Sequence, residues 1–156
     1  MAPRISTNVQ VMFFDTDCGG VVSNIAYLRF IETARTHLAE QLGLALVEMA
    51  QNQRYPVLVH TEISYRRAAK LGDRLVIEGW LDRVERARFW CTFRIMRPQD
   101  NTLIAECRQK LALIEMPTGK LLRVPEHWKT YDKAESSEHH ERDSQTGNGP
   151  GAKRVP

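Results

Sequence analysis

The sequence predicts an α+β domain in which one long helix lies against a curved antiparallel sheet of five strands. Three observations carry this expectation: a strongly amphipathic stretch between Ser23 and Gly43, four strand-like stretches separated by short turns after Pro56, and a β-rich segment ahead of the helix. That order of elements calls for a sheet with the helix packed on one face. A length of 156 residues suits a single domain with one continuous core. With 42% hydrophobic and 26% charged residues, neither wholesale disorder nor a disulfide-dense miniature scaffold is the expectation.

The first strand is expected over Ile5 to Phe14, a run rich in Val, Thr and Phe that ends at the turn Asp15-Thr16-Asp17-Cys18-Gly19-Gly20. The helix follows. Tyr27, Phe30, Ile31, Ala34, Leu38 and Leu42 recur at spacings of three and four, while Arg29, Glu32, Thr33, Thr36 and Glu40 occupy the other side. Ser23 or Asn24 supplies the cap and Gly43 the stop. A short second helical piece fits Leu44 to Gln51. Beyond Pro56, Val57, Val59, Thr61, Ile63 and Tyr65 alternate with Leu58, His60, Glu62, Ser64 and Arg66, and residues 68–73 make a turn. Leu75 to Val84, Arg88 to Met96 and Thr102 to Ile114 repeat the habit, with Glu85-Arg86-Ala87 and Pro98-Gln99-Asp100-Asn101 as hairpin connections. From Ala134 onward turn formers and charges replace aliphatic residues, so the expected organisation is a domain over 1–133 and a disordered tail over 134–156. His139 and His140 in that tail, beside Glu138 and Glu141, are expected to be solvated rather than metal ligands.

Composition excludes several classes of function. The net charge is only +3, and basic residues are interspersed with acidic ones, so no nucleic-acid partner is implied. No apolar run approaches the ~20 residues that span a bilayer, and the start lacks the apolar core of a secretory signal. Three cysteines, Cys18, Cys91 and Cys107, form no C-x-x-C pair and no metal-ligand spacing with a histidine. A reducing, cytoplasmic setting without a metal is the expectation.

The turn between the first strand and the helix carries the chemistry. Phe14-Asp15-Thr16-Asp17-Cys18-Gly19-Gly20-Val21-Val22-Ser23-Asn24 puts two carboxylates and two glycines at a helix start. Unpaired N–H groups and a partial positive charge there polarise a carbonyl and stabilise its tetrahedral oxyanion. Gly19 and Gly20 let a ligand approach the backbone. A carboxylate opposite that carbonyl could attack it or activate a water, which is the minimum apparatus for acyl transfer. Chemistry alone leaves an alternative open: both aspartates cap a turn or the helix, and the glycines supply only positive φ.

The stretch V-x-F-F-D-T-D-C-G-G-V-V-S-N-I-A-Y-L-R-F-I-E-T-A-R, Val11 to Arg35, resembles the 4-hydroxybenzoyl-CoA thioesterase-like branch of the hotdog superfamily, which includes the Tol–Pal-associated thioesterases. The resemblance continues through Tyr65-Arg66-Arg67-Ala68-Ala69-Lys70-Leu71-Gly72-Asp73 to Val124-Pro125, about residues 8–128. It implies a hotdog fold and hydrolysis of an acyl-CoA to the free acid and CoA. Asp17 would be the catalytic carboxylate, as base or nucleophile, with Asp15 structural. The backbone N–H of Asn24 would be the oxyanion donor, a main-chain role that survives the change from the tyrosine or histidine of relatives. Gly20 and Tyr27 would line the substrate site. In the loop between the third and fourth strands, Arg83, Glu85, Arg86 and Arg88 bring arginines to where the family meets coenzyme A phosphates, although a solvated hairpin tip accounts for Arg86 and Arg88 equally well. A homodimer or homotetramer with active sites at the interface is implied. No cofactor is, since coenzyme A belongs to the substrate. Hydrolysis of acyl groups on acyl carrier protein is the alternative activity, separable by comparing rates on the two carriers. A non-catalytic thioester-binding module would bind without releasing thiol.

Other residues carry less. Cys18 stands by the turn, but no histidine is near it in sequence to activate a thiol, and the family uses none there. His60, mid-strand, suits a partly buried structural histidine better than an acyl-pocket residue, and His37 a solvated one. Tyr27, Phe30, Trp80, Phe89, Trp90 and Phe93 suit the core, with Tyr27, close after the proposed carbonyl site, the one placed to touch an acyl group as well. Trp128 is expected to close the end of the fold.

Overall fold

The computed structural model describes residues 2–131, so the expected tail, with His139 and His140, lies outside the described residues. The chain forms β1 (Arg4–Gln10), α1 (Asn24–Gln41), α2 (Leu46–Asn52), β2 (Arg54–Tyr65), β3 (Arg74–Val84), β4 (Arg88–Arg97) and β5 (Thr102–Glu115), with single 3-10 turns at Phe13–Asp15, Pro98–Asp100 and Glu126–Trp128. All neighbouring strands are antiparallel, in the order β1-β3-β4-β5-β2. The expected five-stranded α+β architecture is present, and both predicted hairpins, β3–β4 and β4–β5, join neighbours.

Two details differ from expectation. The first strand stops at Gln10 rather than running to Phe14. Val11 instead closes a pair of hydrogen bonds with the segment before β3, donating to the Asp73 carbonyl at 2.9 Å and accepting from the Gly72 N–H at 3.0 Å, and the chain then bends into a 3-10 turn. The cause is Asp15, whose buried carboxylate accepts the Met12 N–H at 2.8 Å and draws the segment off the sheet line. Residues 68–73, expected only as a turn, lie on a crossover from one side of the sheet to the other. β2 pairs with β5 at one edge, from Arg54↔Glu115 to Tyr65↔Ala105, and the chain must cross to the far side to enter β3 beside β1. Alternation reveals which face a side chain takes and says nothing of which strand lies alongside.

Ser23 caps α1, its Oγ accepting the Ala26 N–H at 3.3 Å, and Gly43, at φ +77°, follows the last turn. The helix buries Ala26, Tyr27, Phe30, Ile31, Ala34 and Leu38, one face at the spacing read from sequence. These residues meet the inner side chains of the sheet, among them Leu75, Ile77, Phe93, Ile95 and Leu113, in one core cluster. Each such fully buried side chain contributes about 1.5–3 kcal/mol. Gly79, central in β3, leaves room for the core: a Cβ there would come within 2.7 Å of the buried Phe93 ring. Trp128, fully buried and edge-on to Phe89 at 5.0 Å, closes one end as expected.

α1 packs mainly across β1, β3 and β4. β2 therefore forms an open edge whose Val57, Leu58 and Val59 are 41%, 44% and 54% exposed. Among the described residues no helix is long and apolar enough to cross a membrane.

Candidate active site

The turn from Asp15 to Ser23 is closed on itself and anchored at both ends. The Asp17 N–H donates to the Val21 carbonyl at 3.0 Å, the Gly20 N–H to the Asp17 carbonyl at 3.0 Å, and the Ser23 N–H to the Asp15 carbonyl at 2.9 Å. Val22 N–H donates to Ala69 O at 2.9 Å, which ties the turn to the crossover. Gly20 has φ +72° and open space where a Cβ would stand, so glycine there satisfies the backbone and leaves the approach clear.

The two aspartates are set apart by burial. Asp15 is 2% exposed and pairs with the Arg29 guanidinium of α1. Together with its bond to Met12 N–H this makes it a strut that fixes the turn to the helix. Asp17 is exposed, and its one side-chain hydrogen bond among the described residues is to the Gly19 N–H at 2.9 Å, leaving Oδ2 free. At the helix start, the Asn24 and Ile25 N–H groups have no partner among the described residues, whereas Ala26 N–H is taken by Ser23. One turn thus presents an unencumbered carboxylate and unpaired amide donors. Exposed apolar side chains surround it: Phe13 at 81%, Phe14 at 73% and Ile25 at 73%.

Tyr27 is placed differently from a side chain that lines an open pocket. It is 4% exposed, and its hydroxyl accepts the buried Ala69 N–H at 3.1 Å, so it pins the crossover to α1. Burial raises its pKa, so the phenol stays protonated. Tyr27→Phe removes the only acceptor of that N–H among the described residues and is expected to cost about 1–3 kcal/mol in a urea melt. The neighbouring Tyr65 ring, 5.3 Å away on the helix side of the sheet, is 47% exposed and is the aromatic there that stays open to solvent. The sequence reading missed it, because alternation on an edge strand does not show which inner-face residues stay uncovered.

Arg86 and Arg88 do not join this group within one protomer. They flank the β3–β4 turn, while the Asp17 turn bridges through Val21 to Lys70, just before β3 begins. β3 has 11 residues and so separates the two ends by roughly 33 Å at about 3.3 Å per residue. Arg86 lines a surface cleft with Arg123 and Lys129, two cations the sequence placed far from it. The cations that the chain itself sets beside the Asp17 turn are Arg29 and Lys70.

His60 is half-exposed on the outer face, 3.0 Å from Glu62 and edge-on to Trp90, away from the helix side. Trp80 and Trp90 also lie on that face, partly covered by Arg4 and Arg108, whereas Phe30, Phe89 and Phe93 are core. His37 is exposed, in a 2.9 Å hydrogen bond with Thr7. Cys18 is exposed, while burial pushes the Cys91 and Cys107 thiols up to about 12. One thiol of the three is therefore expected to react with Ellman's reagent in the folded chain, and the other two only after denaturation. No group of three or more metal-ligating side chains occurs among the described residues.

Residues 11–130 match the thioesterase-like superfamily. The chain belongs to that family. It is 34% identical over 123 residues to the acyl-CoA thioesterase YbgC of Haemophilus influenzae, spanning 78% of this chain and 88% of the relative. A 1,4-dihydroxy-2-naphthoyl-CoA hydrolase of Synechocystis is 28% identical over the same shares. Among solved structures, the Synechocystis thioesterase for 1,4-dihydroxy-2-naphthoyl-CoA superposes with a TM-score of 0.73 at 25% identity, over 83% of this chain and 96% of that one. A probable thioesterase from Bartonella henselae gives 0.71 at 27% identity, over 79% and 100%. The fold is the hotdog fold of these thioesterases, and the chain is a thioester hydrolase.

Proposed function

We propose that this thioesterase hydrolyses an acyl-CoA to the free acid and coenzyme A, with Asp17 as the reacting carboxylate and the Asn24 N–H as oxyanion donor. The observation that carries the proposal is the pairing, on one closed turn, of an exposed carboxylate with unpaired helix-start amides. The thioester carbonyl oxygen lies against the Asn24 amide, which gains strength as the oxygen becomes anionic. Asp17 either deprotonates a water that attacks the carbonyl carbon or attacks it directly, giving an anhydride that water then opens. In both routes the C–S bond breaks, the sulfur leaves as the coenzyme A thiolate and takes a proton, and the acid departs. No metal or redox cofactor enters the step, and coenzyme A enters as part of the substrate. Gly20 keeps the approach open, and Tyr27 holds the wall behind it.

The working unit in this proposal is a homodimer, or a homotetramer built from two such dimers. Two observations support it: the open β2 edge with Val57, Leu58 and Val59 exposed, and the apolar side chains left uncovered around the catalytic turn. A partner is also what would bring Arg86 and Arg88 toward the phosphates of a bound coenzyme A, since the same chain's arginines stand at the far end of β3. Leu58→Lys on the edge is expected to shift the mass measured by light scattering toward the monomer and to reduce activity with it. The free thiols fit a reducing cytoplasm. Thiol release from acyl-CoAs by native protein and Asp17→Asn tests the reaction.

A further inference from the structure

At the end of α1 away from Asp17 lies a cavity of about 330 Å³ between the helix, α2 and the sheet. Its inner wall is apolar: Leu38, Leu42, Leu44, Phe89 and Leu111 are each no more than 6% exposed. α2 forms the roof without filling the space, since it contributes Leu46 and Met49 to the lining but has no buried residue of its own. The volume falls at the lower end of small-molecule sites, about 300–1,000 Å³.

One cation stands in this wall. The Arg35 side chain is 22% exposed, and its Nη1 donates to Gln109 Oε1 at 2.9 Å. Gln109, itself 3% exposed, donates onward from Nε2 to Thr61 Oγ1 at 3.3 Å, so the guanidinium is held from the sheet side by a neutral relay. The one carboxylate in ion-pair range among the described residues is Glu32, at 3.6 Å and 68% exposed, a surface pair of small strength. Glu40, also at the cavity, is exposed. The positive charge is felt inward, where it opposes the burial-driven rise of the Cys91 and Cys107 thiols. A guanidinium has five N–H donors, and the Gln109 bond uses one.

An apolar chamber with a largely buried, pre-oriented guanidinium at its wall is complementary to a molecule with an apolar tail and an anionic head. We propose that this cavity binds a medium-chain monocarboxylic acid, its carboxylate on Arg35 and its chain among Leu38, Leu42, Leu44 and Leu111. The site is distinct from the catalytic turn: Arg35 comes 11 residues after Asn24, about 16 Å along the helix at 1.5 Å per residue. The ligand has the chemistry of the acid that the proposed reaction releases, which would let product occupy the enzyme without blocking Asp17. Binding itself does not depend on that reaction.

Calorimetric titration with decanoate and with decanol tests the proposal on the full chain, with circular dichroism confirming that each variant is folded. Decanoate is expected to saturate one site per chain, with equal affinity in native protein and in Asp17→Asn. Arg35→Gln, which can still bond Gln109, should weaken decanoate by about tenfold and decanol by less than about twofold. Ala39→Phe, which enlarges a side chain lining the cavity, should weaken both. Absence of saturable binding to the native protein overturns the proposal, as does unchanged decanoate affinity in Arg35→Gln. Loss of binding in Asp17→Asn would overturn it by placing the acid in the catalytic site.

Discussion

Asp17→Asn is expected to lower turnover of acyl-CoA by about 100- to 10,000-fold while leaving the fold intact. The asparagine oxygen can still accept the Gly19 N–H, so the turn keeps its shape, and the residue is exposed. Stability should therefore stay within about 0.5 kcal/mol of native. What the substitution removes is a charge able to take a proton or form a bond. A panel of short, long, branched and aryl acyl-CoAs, followed by thiol release, reads out the effect. Undiminished turnover in Asp17→Asn would remove the carboxylate from the mechanism. Binding of acyl-CoA without thiol release in the native protein would point to the binding-module alternative, and activity restricted to acyl carrier protein to the other.

The neighbouring aspartate should behave in the opposite order, with stability lost first and activity as a consequence. Asp15→Ala removes a 2%-exposed carboxylate from both the Met12 N–H and the Arg29 guanidinium. Hydrogen bonds to a charged group are worth about 1.5–3 kcal/mol, and leaving the Met12 amide unpaired adds to the cost. Arg29, at 51% exposed, recovers water when its partner is lost, which discounts the ion pair itself. About 2 kcal/mol is the net expectation, or roughly 4–8 °C in Tm for a chain of this size. Activity should fall too, because the turn that aims Asp17 is hung on that strut. The two variants separate a reacting carboxylate from a supporting one, and equal thermal loss in both would refute the division.

Local patterns in the sequence were enough for the elements that are defined locally. The three-and-four spacing from Tyr27 to Leu42 marked α1 and its buried face, Gly43 marked its end, and the cap was narrowed to Ser23 or Asn24, of which the structure uses Ser23. Strand alternation and the turns at 85–87 and 98–101 marked β3, β4 and β5, and the two-glycine turn with its aspartates marked the place where the chemistry is proposed. Each depends on residues within a few positions of one another, so the chain's own periodicity records it. The tertiary structure decided what depends on distant partners. It set β2 at the edge against β5, turned residues 68–73 into a crossover, and separated Asp15 from Asp17 by burying one against Arg29. It also put Arg86 a strand's length from the Asp17 turn, and it brought Arg35, Gln109 and Thr61 together from three elements. Burial and long-range pairing arise only when the sheet order is closed, and a pattern read along the chain carries no record of which strand will lie beside which.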